Sequence, residues 1–296
     1  MKTNLKIACF GEVLWDVFPT YKMIGGAPFN VAARLYSLSN DVCLVSKIGK
    51  DADGEEIMAY MQSKGINTEH VQVDEKLKTG DVTVMLDDKG SASYTIAFPR
   101  AWDAIGCTDK VKEEIARSDA FVFGSLSARN HISKNTLYEL IACANYTVFD
   151  VNLRAPHYTK ESILALMSKA DFIKLNDDEL METMKYMGKI PDTLEQNIMY
   201  ISQMTSTPHI CVTLGKEGAV LLYNEEFYHH KGYEVKVIDT VGAGDSFLAS
   251  LIHHLLRKAP PGEAIDFACA VGALVAQKKG ANPDITMEEV CLLMKS

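Results

Sequence analysis

The apolar positions of this chain fall into short runs alternating with segments of helical periodicity. Leu5 to Phe10 reads as a buried strand, and Val13 to Phe18 as an extended segment beyond Gly11-Glu12. Gly25-Gly26-Ala27-Pro28 interrupts the chain, and Pro28 opens a helix through Leu38, where its missing N–H costs nothing. A strand over Val42 to Ile48 and a helix over Glu55 to Lys64 follow, separated by a loop carrying Gly49 and Gly54. This order of strand and helix is that of a parallel sheet covered on both faces.

The alternation lapses between Val71 and Ala97. There Val82 to Leu86 and Ser93 to Ala97 flank Asp87-Asp88-Lys89-Gly90, a hairpin signal preceded by a β-rich segment. Such an insertion serves either as an edge extension of the main sheet or as a lid over a site. From Thr108 the rhythm resumes, with helices over Asp109 to Arg117, Ser133 to Ala144, Lys160 to Ser168, Asp177 to Tyr186 and Leu194 to Met204. Strands are expected at Ala120 to Phe123, Tyr146 to Asp150, Phe172 to Lys174 and His209 to Leu214. Gly218 to Tyr223, Glu226 to His230 and Tyr233 to Val237 read as antiparallel strands, and three helices close the chain near Gly244 to Arg257, Gly262 to Lys279 and Met287 to Met294. No repeat or long linker divides the 296 residues, so one α/β domain with a small β excursion is the simplest account.

Composition narrows the function. A formal charge of -9 offers no general attraction to nucleic acid or to an anionic membrane, so any anion site must be local. The longest apolar run, Phe267 to Ala276, is too short to span a bilayer. Seven scattered cysteines suggest reduced, buried thiols in a cytoplasm, and Lys6 and Gly11-Glu12 interrupt what would otherwise resemble a signal peptide.

Candidate chemistry concentrates at Ile238 to Phe247, where Gly242, Ala243, Gly244 and Asp245 precede a helix. A helix N-terminus attracts phosphate because its first N–H groups lack partners and its dipole is positive there. Read by itself, G-x-G-D is first of all a glycine-rich turn capped by Asp245, and only the rest of the chain brings the anion site forward. Polar residues also follow several strands: Asp16, then Asp150, Asn152 and Arg154, then Asn176 and Glu179, then Thr213, Gly215 and Gly218. Ligands of open α/β sheets sit at these carboxyl ends, although each residue alone is an ordinary strand end or helix cap. A Walker A loop, a dinucleotide fingerprint near the first strand and the protein-kinase motifs are absent.

Taken together, these strings resemble the ribokinase family of carbohydrate kinases, also called the PfkB family, over essentially the whole chain. Asp239-Thr240-Val241-Gly242-Ala243-Gly244-Asp245-Ser246-Phe247 matches its C-terminal signature, and Gly25-Gly26-Ala27-Pro28-Phe29-Asn30-Val31-Ala32 with Lys47 to Gly54 its N-terminal one. Asp150 to Arg154, Lys174 to Glu179 and Val212 to Ala219 match intermediate marks. Within the family, the motifs look most like bacterial fructokinases, with 2-keto-3-deoxygluconate kinases next.

The resemblance implies a three-layer α/β/α sandwich with a mainly parallel central sheet. It makes residues 1–296 one domain, with a β-sheet lid from segments about 12–24 and 79–99. It implies ATP-dependent, Mg²⁺-assisted phosphorylation of a sugar's primary hydroxyl, D-fructose first among acceptors, and a homodimer paired through the lid. Asp16, Gly26 and Asn30 would bind the sugar, with Arg100, Trp102 and Arg154 as further ligands. Gly242 to Asp245 would form the anion hole, Asp245 serving as base with its pKa lowered by the positive helix end. Asn176 and Glu179 would organise the phosphates and, indirectly through Glu179, Mg²⁺; Thr213, Gly215 and Gly218 would line the nucleotide site. Asp239, Val241, Val275, Lys278, Gly280 and Asp284 match the positions that hold K⁺ in many relatives, though Asp284 stands where ribokinase has a serine. A sugar-binding protein that kept the fold without catalysis is the rival of another class.

Overall fold

The computed structural model describes residues 4–86 and 92–295. Its main sheet has nine strands in the order β13-β12-β11-β10-β9-β8-β1-β4-β5. β1 (Lys6–Phe10) pairs in parallel with β4 (Asp41–Gly49) on one side and β8 (Ala120–Gly124) on the other. β9 (Thr147–Asp150), β10 (Phe172–Asn176) and β11 (His209–Thr213) extend the parallel sheet, and β5 (Val71–Asp74) ends it beyond β4. β12 (Ala219–Tyr223) and β13 (Glu226–His230) add an antiparallel edge.

Both faces of this sheet are buried, which is why its strands read as continuous apolar runs. Ile7 and Cys9 point into one core layer, Ala8 and Phe10 into the other. The first layer is closed by α1 (Ala27–Ser37), α2 (Ala52–Ser63), α8 (Ala243–Leu256) and α9 (Pro261–Ala276). The second lies under α3 (Asp109–Arg117), α4 (His131–Ile141), α5 (Lys160–Met167), α6 (Asp177–Tyr186) and α7 (Leu194–Thr205). Thr108, Thr159, Asn176 and Thr193 cap their helices by accepting from early backbone N–H groups, and Thr286 does so for α10 (Met287–Leu293).

A separate four-stranded sheet contains β2 (Leu14–Val17), β3 (Lys22–Gly25), β6 (Gly80–Leu86) and β7 (Ala92–Ile96), in the order β3-β2-β6-β7. β6 and β7 pair antiparallel as the hairpin signal predicts; the expected turn at 87–90 lies outside the described residues. The hairpin is therefore a lid element rather than an extension of the main sheet, whereas β5, just upstream, does belong to the main sheet's edge. One expected strand is absent: Tyr233 to Val237 is irregular. β13 is left as the edge strand, and among the described residues no further strand pairs beyond it.

The chain runs from β1 towards β4 and β5, then returns to build outward from β8, so strand order reverses between β1 and β8. That switch point opens a crevice at the carboxyl ends of the strands. Gly11 and Glu12 leave β1 there, and the lid sheet follows immediately.

Candidate active site

The early and late segments meet at the switch point. Asn30, in the first turns of α1, donates from Nδ2 to Asp245 Oδ2 at 2.8 Å, joining residues 215 apart in sequence. Asn282 Nδ2 in turn donates to Asn30 Oδ1 at 2.7 Å, which fixes the amide's orientation. Gly26 precedes α1 with φ of 108° and lies against the Glu12 carbonyl, so a side chain there would collide with backbone. Asp16 reaches down from β2 to cover Gly25, and its carboxyl senses Asp245. Asp16, Gly26, Asn30 and Asp245 thus line one recess.

Asp245 is the third residue of α8, whose N-cap Gly242 has a left-handed φ of 75°. Gly242 packs against the Ala281 backbone, leaving no room for a Cβ. The Ala243 N–H turns back to the Thr240 carbonyl at 3.2 Å. Among the described residues, the N–H groups of Gly242, Gly244 and Asp245 are without protein acceptors, so they, not that of Ala243, are the donors open to an anion. Arg34 braces this turn from α1, donating to Ser246 Oγ at 3.2 Å and the Pro283 carbonyl at 2.9 Å.

The electrostatics correct one expectation. The Asp245 carboxyl is raised to about 6, not lowered: enclosure by protein comes first and the Asp150 carboxylate second. The Asn30 bond, Lys174 and Arg154 pull the other way without prevailing. Burial likewise pushes Glu12 up to about 7 and Asp16 up to about 6, with Asp245 adding to both and Arg154 opposing. The helix end stabilises an anion here by less than the loss of water and the crowding of carboxylates destabilise it.

On the other side of the crevice, Asn176 ends β10 in register with Thr213 on β11. Asn176 Oδ1 accepts from Glu179 N, and Glu179 Oε2 accepts from Asn176 N, each at 2.8 Å. Glu179 Oε1 accepts from Leu153 N at 2.8 Å, so both of its oxygens are engaged and any metal contact must run through the loops it holds. Gly215 and Gly218 adopt left-handed φ values beyond β11, and Leu214 N donates to the Gly218 carbonyl at 2.8 Å. Lys174 lies between the two groups. Its ammonium is buried 3.1 Å from Asp150 Oδ1 and abuts Gly244. Burial alone would push the lysine down, yet Asp150, Glu179 and Asp245 hold it well above the usual lysine range.

Other expected residues are placed differently. Trp102 is fully buried, its ring 3.8 Å from the Arg129 guanidinium, so it packs in the core behind the crevice. Arg100 pairs with Asp81 on the lid at 2.6 Å. Arg154 is exposed and, among the described residues, donates only to its neighbour's carbonyl, while its charge acts on Glu12, Asp16 and Asp245. Of the cation set, Asp239 accepts from Val241 N and Gly280 N, each at 3.0 Å. The Val275 carbonyl receives Lys278 N at 2.9 Å, and the Asp284 carbonyl receives Lys278 Nζ at 2.7 Å. The Lys278 side chain also bridges this segment to Glu289.

Sequence reasoning left Glu12, Lys174 and Asn282 without a role. Glu12 is a lone carboxyl in an apolar run, and Lys174 interrupts an apolar strand beside Asp150, its register partner. Charges in such runs are costly unless partnered, and that signal was available. Asn282 sits in a featureless loop and gave none.

The chain is similar to known proteins along its length and in its fold. Fructokinase-2 of Solanum lycopersicum is 29% identical over 98% of this chain and 96% of its own length. A fructokinase of Vibrio alginolyticus is 27% identical over 92% of each. The fructokinase of Xylella fastidiosa with bound ATP superposes with a TM-score of 0.87 at 22% identity, covering 98% of both chains. That of Vibrio cholerae with fructose, ADP and potassium bound gives 0.84 at 23% identity over 98% of both. Residues 4–287 match the pattern of the pfkB family carbohydrate kinases, and the chain belongs to that family.

Proposed function

We propose that this carbohydrate kinase transfers the γ-phosphoryl group of ATP to the primary hydroxyl of D-fructose, giving fructose 6-phosphate and ADP. The observation that carries the reading is Asp245: Asn30 holds Oδ2, while among the described residues Oδ1 accepts nothing, beside the open N–H groups of Gly242 and Gly244. Fructokinases among the curated relatives support the choice of sugar.

In this reading the sugar lies over Asp16, Gly26 and Asn30. The hydroxyl gives its proton to Asp245, its oxygen bonds to the γ-phosphorus, and the bond from that phosphorus to the β-phosphate bridging oxygen breaks as ADP leaves. Phosphoryl transfer is loose, so positioning and charge stabilisation supply most of the rate. The α8 N–H groups and the Lys174 ammonium beside Gly244 oppose the charge on the moving phosphoryl. Thr213, Gly215 and Gly218 line the nucleotide. Mg²⁺ accompanying ATP would neutralise charge on its phosphates, and Asn176 and Glu179 would organise the loops that meet it. Where a monovalent cation binds, oxygens of Asp239, Val241, Val275, Lys278, Gly280 and Asp284 would hold it. K⁺ in a related structure supports that expectation.

The two open edges of the lid sheet, β3 and β7, support a homodimer through the lid, and seven free thiols support a reducing, cytoplasmic setting. Among the described residues, no helix is long and apolar enough to cross a membrane.

A second acceptor is favoured by Arg154, whose guanidinium faces the recess with a single backbone partner: a sugar acid such as 2-keto-3-deoxygluconate would meet it with its carboxylate. Coupled ADP release with Mg²⁺ and K⁺ over fructose, 2-keto-3-deoxygluconate, ribose and adenosine decides. Fructose is expected to give the highest kcat/KM. Preference for the acid would transfer the assignment to it, and no sugar-dependent release would favour a sugar-binding protein without catalysis.

A further inference from the structure

On the opposite side of the sheet from the crevice, near the amino ends of the strands, three residues with metal-ligating side chains converge. They are Cys43 on β4, His70 immediately before β5, and Glu114 on α3. The Cys43 sulfur, an imidazole nitrogen of His70 and a carboxylate oxygen of Glu114 all lie within 4.8 Å of one another. We propose that Cys43, His70 and Glu114 form a binding site for a borderline-soft divalent ion, Zn²⁺ foremost, that clamps α3 to the β4–β5 edge of the main sheet.

The three come from separate segments, so folding and not local sequence assembles them. Thiolate, imidazole and carboxylate are the donors Zn²⁺ takes, at about 2.3, 2.0–2.1 and 2.0–2.2 Å, with water in the fourth position. Closing on one ion requires the ligands to draw in by about an ångström from their present spacing. The donor set discriminates against Mg²⁺, a hard ion that takes oxygens and does not select a buried sulfur. It therefore differs in kind from the ion that would accompany ATP.

The surroundings favour a cation. Three carboxylates, those of Asp41, Glu69 and Glu114, act on the Cys43 thiol against a single ammonium, that of Lys6. Lys6 Nζ now pairs with Glu114 at 2.7 Å and has Asp41 at 4.0 Å. Asp41 can hold the lysine when Glu114 turns to the ion. Binding to the thiol breaks its S–H bond, forms a sulfur–metal bond and releases the proton to solvent. None of the three residues belongs to the proposed active site, so the inference stands independently of the sugar.

The test is titration of the metal-free full chain with Co²⁺, a spectroscopic stand-in for Zn²⁺, followed by displacement with Zn²⁺. One Co²⁺ per chain is expected, with a thiolate-to-cobalt charge-transfer band in the near ultraviolet and the intense visible bands of four-coordination. Cys43→Ser should abolish the charge-transfer band, and Cys291→Ser, at an exposed cysteine, should leave it intact. Glu114→Gln should retain the band but weaken Co²⁺ binding at least about tenfold, the loss that even outer partners of a metal cause. Zn²⁺ should raise the melting temperature of the wild type and not of His70→Ala, a pair that carries the test should Cys43→Ser fail to fold. Absence of the band in the wild type, its survival in Cys43→Ser, or equal stabilisation of His70→Ala by Zn²⁺ would overturn the site.

Discussion

Glu179 and Asp245 occupy the same position, third residue of a helix at the carboxyl edge of the sheet, yet the structure uses them differently. α6 begins at Asn176, whose side chain completes a capping box, and both Glu179 oxygens are saturated by backbone N–H groups. α8 begins at Gly242, which has no side chain to offer and turns left-handed. Asp245 is consequently left with one amide partner, Asn30, and a second oxygen uncommitted among the described residues. The residue at the N-cap decides which carboxylate is architecture and which is available for chemistry.

The sharpest break of that contrast is Asp245→Asn. It keeps the shape and removes the proton acceptor, so kcat should fall by about 10²–10⁴-fold, the span of general base catalysis. Calorimetry should find sugar and ATP affinities nearly unchanged; a comparable loss of binding would sink the division of labour. Gly242→Ala should cost about 1–3 kcal/mol from its left-handed backbone alone, and more from collision with Ala281. Urea unfolding measures it, and a neutral result would mean that α8 need not begin this way.

Glu179→Gln presents an NH₂ group to one of two backbone donors. It should lower stability by about 1–3 kcal/mol, whereas Asp245→Asn should not lower it at all near neutral pH. Thermal melts of the two side by side test the assignment, and the reverse order would refute it.

The pH dependence is a finer probe. Because Asp245 is raised from 3.8 to about 6 in the folded state, native protein holds that proton more tightly than unfolded chain does. Stability from this group is present below the unfolded value and is lost as pH rises through about 6, so Asp245→Asn should gain on the wild type across that window. Turnover has the opposite sign: it needs the ionised base, and log kcat/KM should fall below about pH 6. Glu12 and Asp16 titrate in the same field, so the limb reports the set, and Glu12→Gln should shift its midpoint. A flat profile would remove Asp245 as base. The smallest effect belongs to Arg100→Ala, which breaks a partly exposed pair with Asp81 for about 1 kcal/mol or less. A large rise in sugar KM would instead bring Arg100 into the site.

Much of the plan was legible where local chemistry and global structure agree. Asp109–Arg117 and Asp177–Tyr186 form helices with the boundaries their patterns predict, because caps and apolar stripes coincide. Tyr233 to Val237 misled because alternation alone does not make a segment pair, and β13 stays the edge strand. Trp102 lies deeper than its place beside a hairpin suggests, because position in sequence says nothing about depth. The pKa shift of Asp245 runs opposite to expectation because a helix end is visible in sequence while burial, and after it the neighbouring Asp150 ninety-five residues earlier in the numbering, is not. Long-range enclosure is what a linear reading lacks.

The lid carries a consequence for how the chain is made. β2 pairs in parallel with β6, Leu14 opposite Gly80, so the sheet's central contact joins segments separated by α1, β4, α2 and β5. Loop-closure entropy must be spent before such a contact yields anything. On a ribosome, β2 and β3 emerge early and wait as an unpartnered hairpin until residue 80 is clear of the exit. The lid sheet thus closes only after β1 and β4 have both emerged, and a nascent chain stalled before β6 should show protected β1 and β4 amides with β2 still exchanging.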